Sequence, residues 1–82
     1  MTFQIEIATP EKLVVSQRAD YAEIPGKDGY MGILPGHAAL LSELGAGTLS
    51  FTLEGNTGSF TVSGGYVEVR DDHVRVLADK AE

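Results

Sequence analysis

Cysteine and tryptophan are absent from this chain, basic residues are few, and no long apolar run occurs. Without cysteine there is no disulfide framework and no thiolate metal site, a pattern that suits a reducing compartment. Six Lys and Arg stand against twelve Asp and Glu, giving a formal net charge of −6. The six cations, Lys12, Arg18, Lys27, Arg70, Arg75 and Lys80, are scattered. A nucleic-acid binder needs a basic stripe to displace counterions from phosphates, so nucleic acid is a disfavoured partner, and anionic lipid is disfavoured for the same reason. No stretch approaches the ~20 apolar residues of a spanning helix. The N-terminus has no basic segment leading into an apolar core. The expectation is a soluble domain that inserts into no membrane directly and, if it works at one, is held there by something else.

What is present is one domain of 82 residues with 43% hydrophobic content, too apolar for disorder. A chain this short buries roughly 60% of its unfolded surface, enough for a two-layer core but not for a deep cleft. Periodicity of two dominates. Phe3, Ile5 and Ile7 alternate with Thr2, Gln4 and Glu6. A turn at Thr9-Pro10-Glu11 leads to a second strand carrying Leu13, Val14 and Val15, and a third runs from Asp20 to Ile24. Tyr30 to Leu34 reads as a short extended piece. Ala38 to Leu44 fits a strand or one helical turn, with extended structure preferred. Leu49, Phe51 and Leu53 alternate next, and Glu54 to Gly58 is a turn signal. Phe60 and Val62 follow, then Gly64-Gly65 as a bulge or corner. Val67 and Val69 come before an Asp71-Asp72 turn, with Val74 and Val76 after it. This spacing predicts an all-β fold, a sandwich or barrel of roughly eight to ten short strands. Ala78 to Glu82 is rich in helix formers and reads as the start of a helix.

Chemistry is sparse. Gly26, Gly29 and Gly32 do not make a phosphate cradle, because Gly26-Lys27 is followed by Asp28 rather than Ser or Thr, in a strand-and-turn context. His37 as a general base would want an orienting carboxylate and a nucleophile. Asp28, Ser42 and Glu43 are loose candidates without a motif to position them, so the expected role of His37 is to tie down neighbouring backbone. The other histidine, His73, sits at a solvent-facing strand position, which makes a metal site weaker still. Asp79-Lys80-Ala81 resembles a lipoyl-type hairpin, but two residues after Lys80 leave no return strand. Tyr66 and the Tyr30-Met31 pair are candidate interface anchors. A second reading, a free-standing small-ligand or carbohydrate-binding sandwich, would need an aromatic platform that three Tyr, three Phe and no Trp supply poorly.

The order of segments resembles the N-terminal domain of the epsilon subunit of F-type ATP synthases, the homologue of mitochondrial delta. The resemblance rests on Thr9-Pro10-Glu11, Ile24-Pro25-Gly26 to Gly29, Met31-Gly32-Ile33-Leu34-Pro35-Gly36-His37-Ala38, Leu44 to Gly47, Ser63-Gly64-Gly65-Tyr66-Val67-Glu68-Val69, and Val74 to Asp79. It implies a flattened, mostly antiparallel β-sandwich over residues 1–82, in a non-catalytic central-stalk subunit that needs no cofactor. The partners it implies are the gamma subunit, the polar loops of the c-ring and, through the assembled complex, the alpha and beta subunits. It implies a peripheral location on the cytoplasmic face of the bacterial inner membrane, with the thylakoid or mitochondrial equivalent left open. Position by position, Gly26, Lys27, Asp28, Gly29 and Tyr30 fall where the family meets the c-ring. Thr9 falls at a gamma-facing position, and Pro35, Gly36 and His37 form a structural corner. Family members usually continue into two C-terminal helices with regulatory roles. Residues 79–82 would begin the first of them, so neither inhibition nor ATP binding is inferred for these 82 residues.

Overall fold

The computed structural model describes all 82 residues, Met1 to Glu82, and contains eight strands and no helix. They are β1 (Phe3–Ala8), β2 (Leu13–Ala19), β3 (Tyr21–Gly26), β4 (Gly29–Ile33), β5 (Leu40–Glu43), β6 (Gly47–Leu53), β7 (Asn56–Arg70) and β8 (His73–Ala81). The hydrogen-bonded order is β2-β1-β8-β7-β6-β3-β4, with β5 also on β7. All pairs are antiparallel except β1 with β8.

The fold turns on β7, which at fifteen residues is long enough to serve two layers. Its first half, Asn56 to Val62, pairs with β6; its second half pairs with β5, Leu40 facing Val69 through Glu43 facing Tyr66. The change of partner falls at Gly64-Gly65, where φ is +69° and +109°. Only glycine adopts such values without steric penalty, so the strand bends there. The register with β8 is the same on both sides of the bend, Ser63 facing Lys80 and Gly65 facing Ala78, with only Gly64 left out of the pairing. Of the two expectations for this dipeptide, the corner is the one found. One layer is then β2-β1-β8-β7-β5 and the other is β4-β3-β6-β7.

A single apolar core fills the space between the layers. Phe3, Ile5, Ile7, Val67, Val69, Val74, Val76 and Ala78 meet Ala22, Ile24, Ile33, Leu49, Phe51 and Val62. In each strand these are the in-phase residues of the alternation, and none of the buried residues is polar or charged. Phe51 and Phe60 stack with ring centroids 6.2 Å apart at one side of the core. β2 follows its alternation poorly, because the pairing shifts at Ile7/Ala8; Leu13 is exposed while Val14 and Val15 pack against the core.

One expectation is corrected outright. Ala78 to Ala81 is strand, not the opening of a helix. Lys80 faces Ser63, Ala81 faces Val62, and Glu82 exchanges both backbone hydrogen bonds with Thr61 (2.9 and 2.7 Å). Ala78 keeps the inward phase of Val74 and Val76, but its small side chain hid that phase in the sequence. Ladder pairing then overrides the helix preference of Ala and Lys.

Candidate functional site

Two surfaces stand out, one at the β3–β4 hairpin and one on the outer face of the β1-β8-β7-β5 layer. The hairpin tip, Gly26 to Tyr30, is fixed to the β5–β6 junction at several points. Lys27 N–H donates to the Glu43 carbonyl (3.1 Å), Gly45 N–H donates to the Pro25 carbonyl (2.8 Å), and Gly26 bridges Leu44. Lys27 Nζ lies 3.2 Å from the Glu43 carboxylate. Thr48 N–H donates to the Tyr30 hydroxyl at 3.0 Å, although the Tyr30 side chain is 56% exposed. The tip is thus tied at several points while presented to solvent, with Lys27 paired to Glu43 and Asp28 in no ion pair.

The outer face of the other layer carries apolar residues out of phase with the core. Leu13 and Leu77 both flank Ala8 across the ladder, Leu77 faces Tyr66, and Leu41 lies one row away opposite Glu68. Leu13, Leu41, Tyr66 and Leu77 are each more than half exposed. A shallow groove runs along this row, and Thr9 and Pro10 line one end of it beside Tyr66 and Leu77. The Thr9 hydroxyl accepts from Glu11 N–H (3.3 Å) and Lys12 N–H (3.4 Å), closing its own turn. Next to the apolar row is a charged one, where Glu6 lies opposite Arg75 and Arg75 opposite Glu68. There Glu6 also accepts from His73 Nε2 at 2.6 Å, with Arg75 3.7 Å away. His73 lies in the solvent-facing phase of β8, as expected, where it is partly covered and paired with Glu6.

The Pro35-Gly36-His37 segment forms a turn. His37 N–H donates to the Leu34 carbonyl (3.1 Å), and His37 Nδ1 donates to the Ala38 carbonyl (2.7 Å). A carbonyl only accepts, so Nδ1 carries the proton. No hydrogen bond joins His37 to Asp28, Ser42 or Glu43. The segment is anchored by Asp72, which the sequence reading placed only in the Asp71-Asp72 turn. Asp72 Oδ1 accepts from Gly36 N–H at 2.6 Å, while the Asp72 carbonyl accepts from Gln4 N–H at 2.9 Å. The three tyrosines do not form a common platform. Tyr21 and Tyr30 lie outside the β4-β3-β6 layer, whereas Tyr66 lies outside the other layer. Tyr21 rests against Gly32 and donates to Glu23 (3.3 Å). Desolvation first, then the Glu23 charge and hydrogen bond, hold its phenol above the ordinary value.

Residues 2–82 match the family described as ATP synthase, Delta/Epsilon chain, beta-sandwich domain. The chain belongs to the ATP synthase delta/epsilon family. Among its relatives are the ATP synthase epsilon chains of Koribacter versatilis, 52% identical, and of Solibacter usitatus, 49% identical, each over 81 residues and 99% of this chain. The chain spans 57% and 60% of the length of these two epsilon chains. The same fold occurs in chains of solved ATP synthases. A chain of the Euglena gracilis mitochondrial enzyme (OSCP/F1/c-ring in rotational state 1) superposes with a TM-score of 0.92 at 23% identity, covering 99% of this chain and 52% of that one. A chain of the Tetrahymena thermophila central stalk/c-ring gives 0.80 at 19% identity, with coverages of 96% and 64%.

Proposed function

We propose that this chain is the β-sandwich domain of an epsilon subunit in the central stalk of an F-type ATP synthase, where it couples c-ring rotation to the gamma shaft without doing chemistry itself. It would sit peripherally, on the cytoplasmic face of a bacterial membrane, as one component of the ATP-hydrolysing complex. The observation that carries this reading is the pairing of family membership with two unlike exposed surfaces on one domain with a single core. The apolar row Leu13-Ala8-Leu77-Tyr66, with Thr9 at its end, suits packing against gamma, because exposed apolar area beside a charged row favours a lasting protein contact. The preformed tip Gly26 to Tyr30 suits the polar c-ring loops, since a contact that must transmit torque gains from a loop that does not yield. The Pro35-Gly36-His37 corner serves both by tying the β4–β5 connection to the β7–β8 turn.

The test is co-purification. Tagged gamma co-expressed with this chain is expected to retain it through size exclusion, and the chain alone is expected to hydrolyse no ATP. Repeated failure of gamma to retain a folded chain would overturn the proposal.

A further inference from the structure

The register between β3 and β6 contains a gap that Tyr30 fills. Tyr21 faces Thr52, Ala22 faces Phe51 and Glu23 faces Ser50; continued, the same register would set Pro25 opposite Thr48. Pro25 has no N–H, and its carbonyl turns to Gly45 N–H at 2.8 Å rather than to Thr48 N–H. The ladder stops at Glu23–Ser50, and Thr48 N–H is left without a β3 acceptor. Tyr30, the β4 partner of Pro25, brings its hydroxyl to that donor at 3.0 Å. The site is shaped for the phenol: a Cβ at Gly47 would collide with the Tyr30 hydroxyl and come within 3.2 Å of the Pro25 Cβ. A missing backbone acceptor, a side chain that replaces it and a glycine that leaves room for it coincide at one point.

We propose that Tyr30 is a positioning residue of the hairpin tip, latching it to the start of β6, and that Lys27, Asp28 and Gly29 are the groups left to meet a partner. This rests on reading the tip as the c-ring contact, and it removes Tyr30 from the direct contact set. Lys27 and Gly26 are tied to Glu43 and Leu44 on one side of the hairpin; the Tyr30 bond ties the other side to Thr48. With both sides held, the turn at Lys27-Asp28 cannot swing about either strand. The bond lies at the surface, so its loss should loosen the tip rather than unfold the domain.

The experiment compares Tyr30→Phe and Asp28→Asn in two assays. Amide hydrogen exchange on the isolated chain reads Thr48 and Gly29. Retention on purified, detergent-solubilised c-ring, with gamma present, reads the contact. Tyr30→Phe keeps the ring and deletes the hydroxyl; it is expected to speed Thr48 exchange roughly threefold to tenfold, and to weaken ring retention by a similar or smaller factor. Asp28→Asn is expected to weaken retention while leaving Thr48 exchange unchanged. Unchanged Thr48 exchange in Tyr30→Phe would overturn the latch, whatever the partner. Weakened retention without faster exchange would also overturn it, by making Tyr30 a direct contact. Faster exchange in Tyr30→Phe with full retention of both variants would support the latch and defeat the c-ring reading of the tip instead.

Discussion

Replacing Gly65 by alanine should be among the most damaging single-methyl changes available to this domain. The φ of Gly65 is +109°, outside even the small left-handed region open to other residues, so alanine there carries a backbone penalty of about 1–2 kcal/mol. The added Cβ also has nowhere to go. It would strike the Leu77 carbonyl oxygen and lie 2.9 Å from the Leu77 carbonyl carbon and 3.0 Å from the Ala78 Cα, all of them backbone atoms of β8. Relief requires β8 to move off β7 at the Gly65–Ala78 pair, forfeiting one or two ladder hydrogen bonds at about 1 kcal/mol each. Together these reach about 2–4 kcal/mol. A domain of this size has about 4–12 kcal/mol in all. Gly36→Ala is the control. Its φ is +84°, but nothing lies within 4 Å of the built Cβ, so only the backbone penalty of about 1 kcal/mol applies. Urea unfolding followed by circular dichroism measures both. With an m-value of about 1 kcal/mol per molar, the midpoint should fall by about 3 M for Gly65→Ala and about 1 M for Gly36→Ala. Equal midpoints for the two variants would refute the claim that the sandwich is bent at this corner against the β8 backbone.

Three further outcomes follow from single contacts. Asp72→Ala should cost about 1–2 kcal/mol and expose the Gly36 amide to faster hydrogen exchange, whereas Asp72→Asn, which keeps the acceptor and tolerates a φ of +56°, should lose little. His37→Ala should cost no more than about 1 kcal/mol in thermal or urea unfolding, because it removes one surface hydrogen bond to Ala38. Tyr21 holds its proton more tightly in the folded chain than in the unfolded one. The stability this gives is complete below the ordinary tyrosine range near pH 10 and is lost as pH rises through the folded value. Urea unfolding at pH 9 and pH 11 should therefore show a smaller alkaline loss for Tyr21→Phe than for the parent chain.

The core was legible wherever large apolar residues kept period two. Phe3, Ile5 and Ile7, then Leu49 and Phe51, then Val67, Val69, Val74 and Val76, all point inward as the alternation requires. The C-terminal stretch was misread because Ala78, although 2% exposed, is too small to register as apolar phase beside Asp79 and Lys80. The corner at Gly64-Gly65 was legible as a disruption, but its consequence, a strand serving two layers, depends on partners far away in sequence. Leu41, Tyr66 and Leu77 carried a usable signal: they are large apolar residues in the outward phase of strands whose inward phase is already apolar. Asp72 carried none, since its value lies in reaching Gly36 across the fold. The Tyr30 bond was hidden for the same reason, because it depends on where the β3–β6 ladder ends.

Binding to gamma with opposite faces altered in turn tests the account most directly. Leu77→Glu places a charge in the middle of the apolar row, and Thr52→Glu places the same charge on the outer face of the other layer, where Thr52 lies between Tyr21 and Thr57. The dissociation constant for purified gamma should rise at least ~10-fold for Leu77→Glu, as expected for charge at the centre of an apolar contact, and stay unchanged for Thr52→Glu. Full affinity in a folded Leu77→Glu variant, or a loss confined to Thr52→Glu, would contradict the assignment of the Ala8-Leu77-Tyr66 face to the shaft.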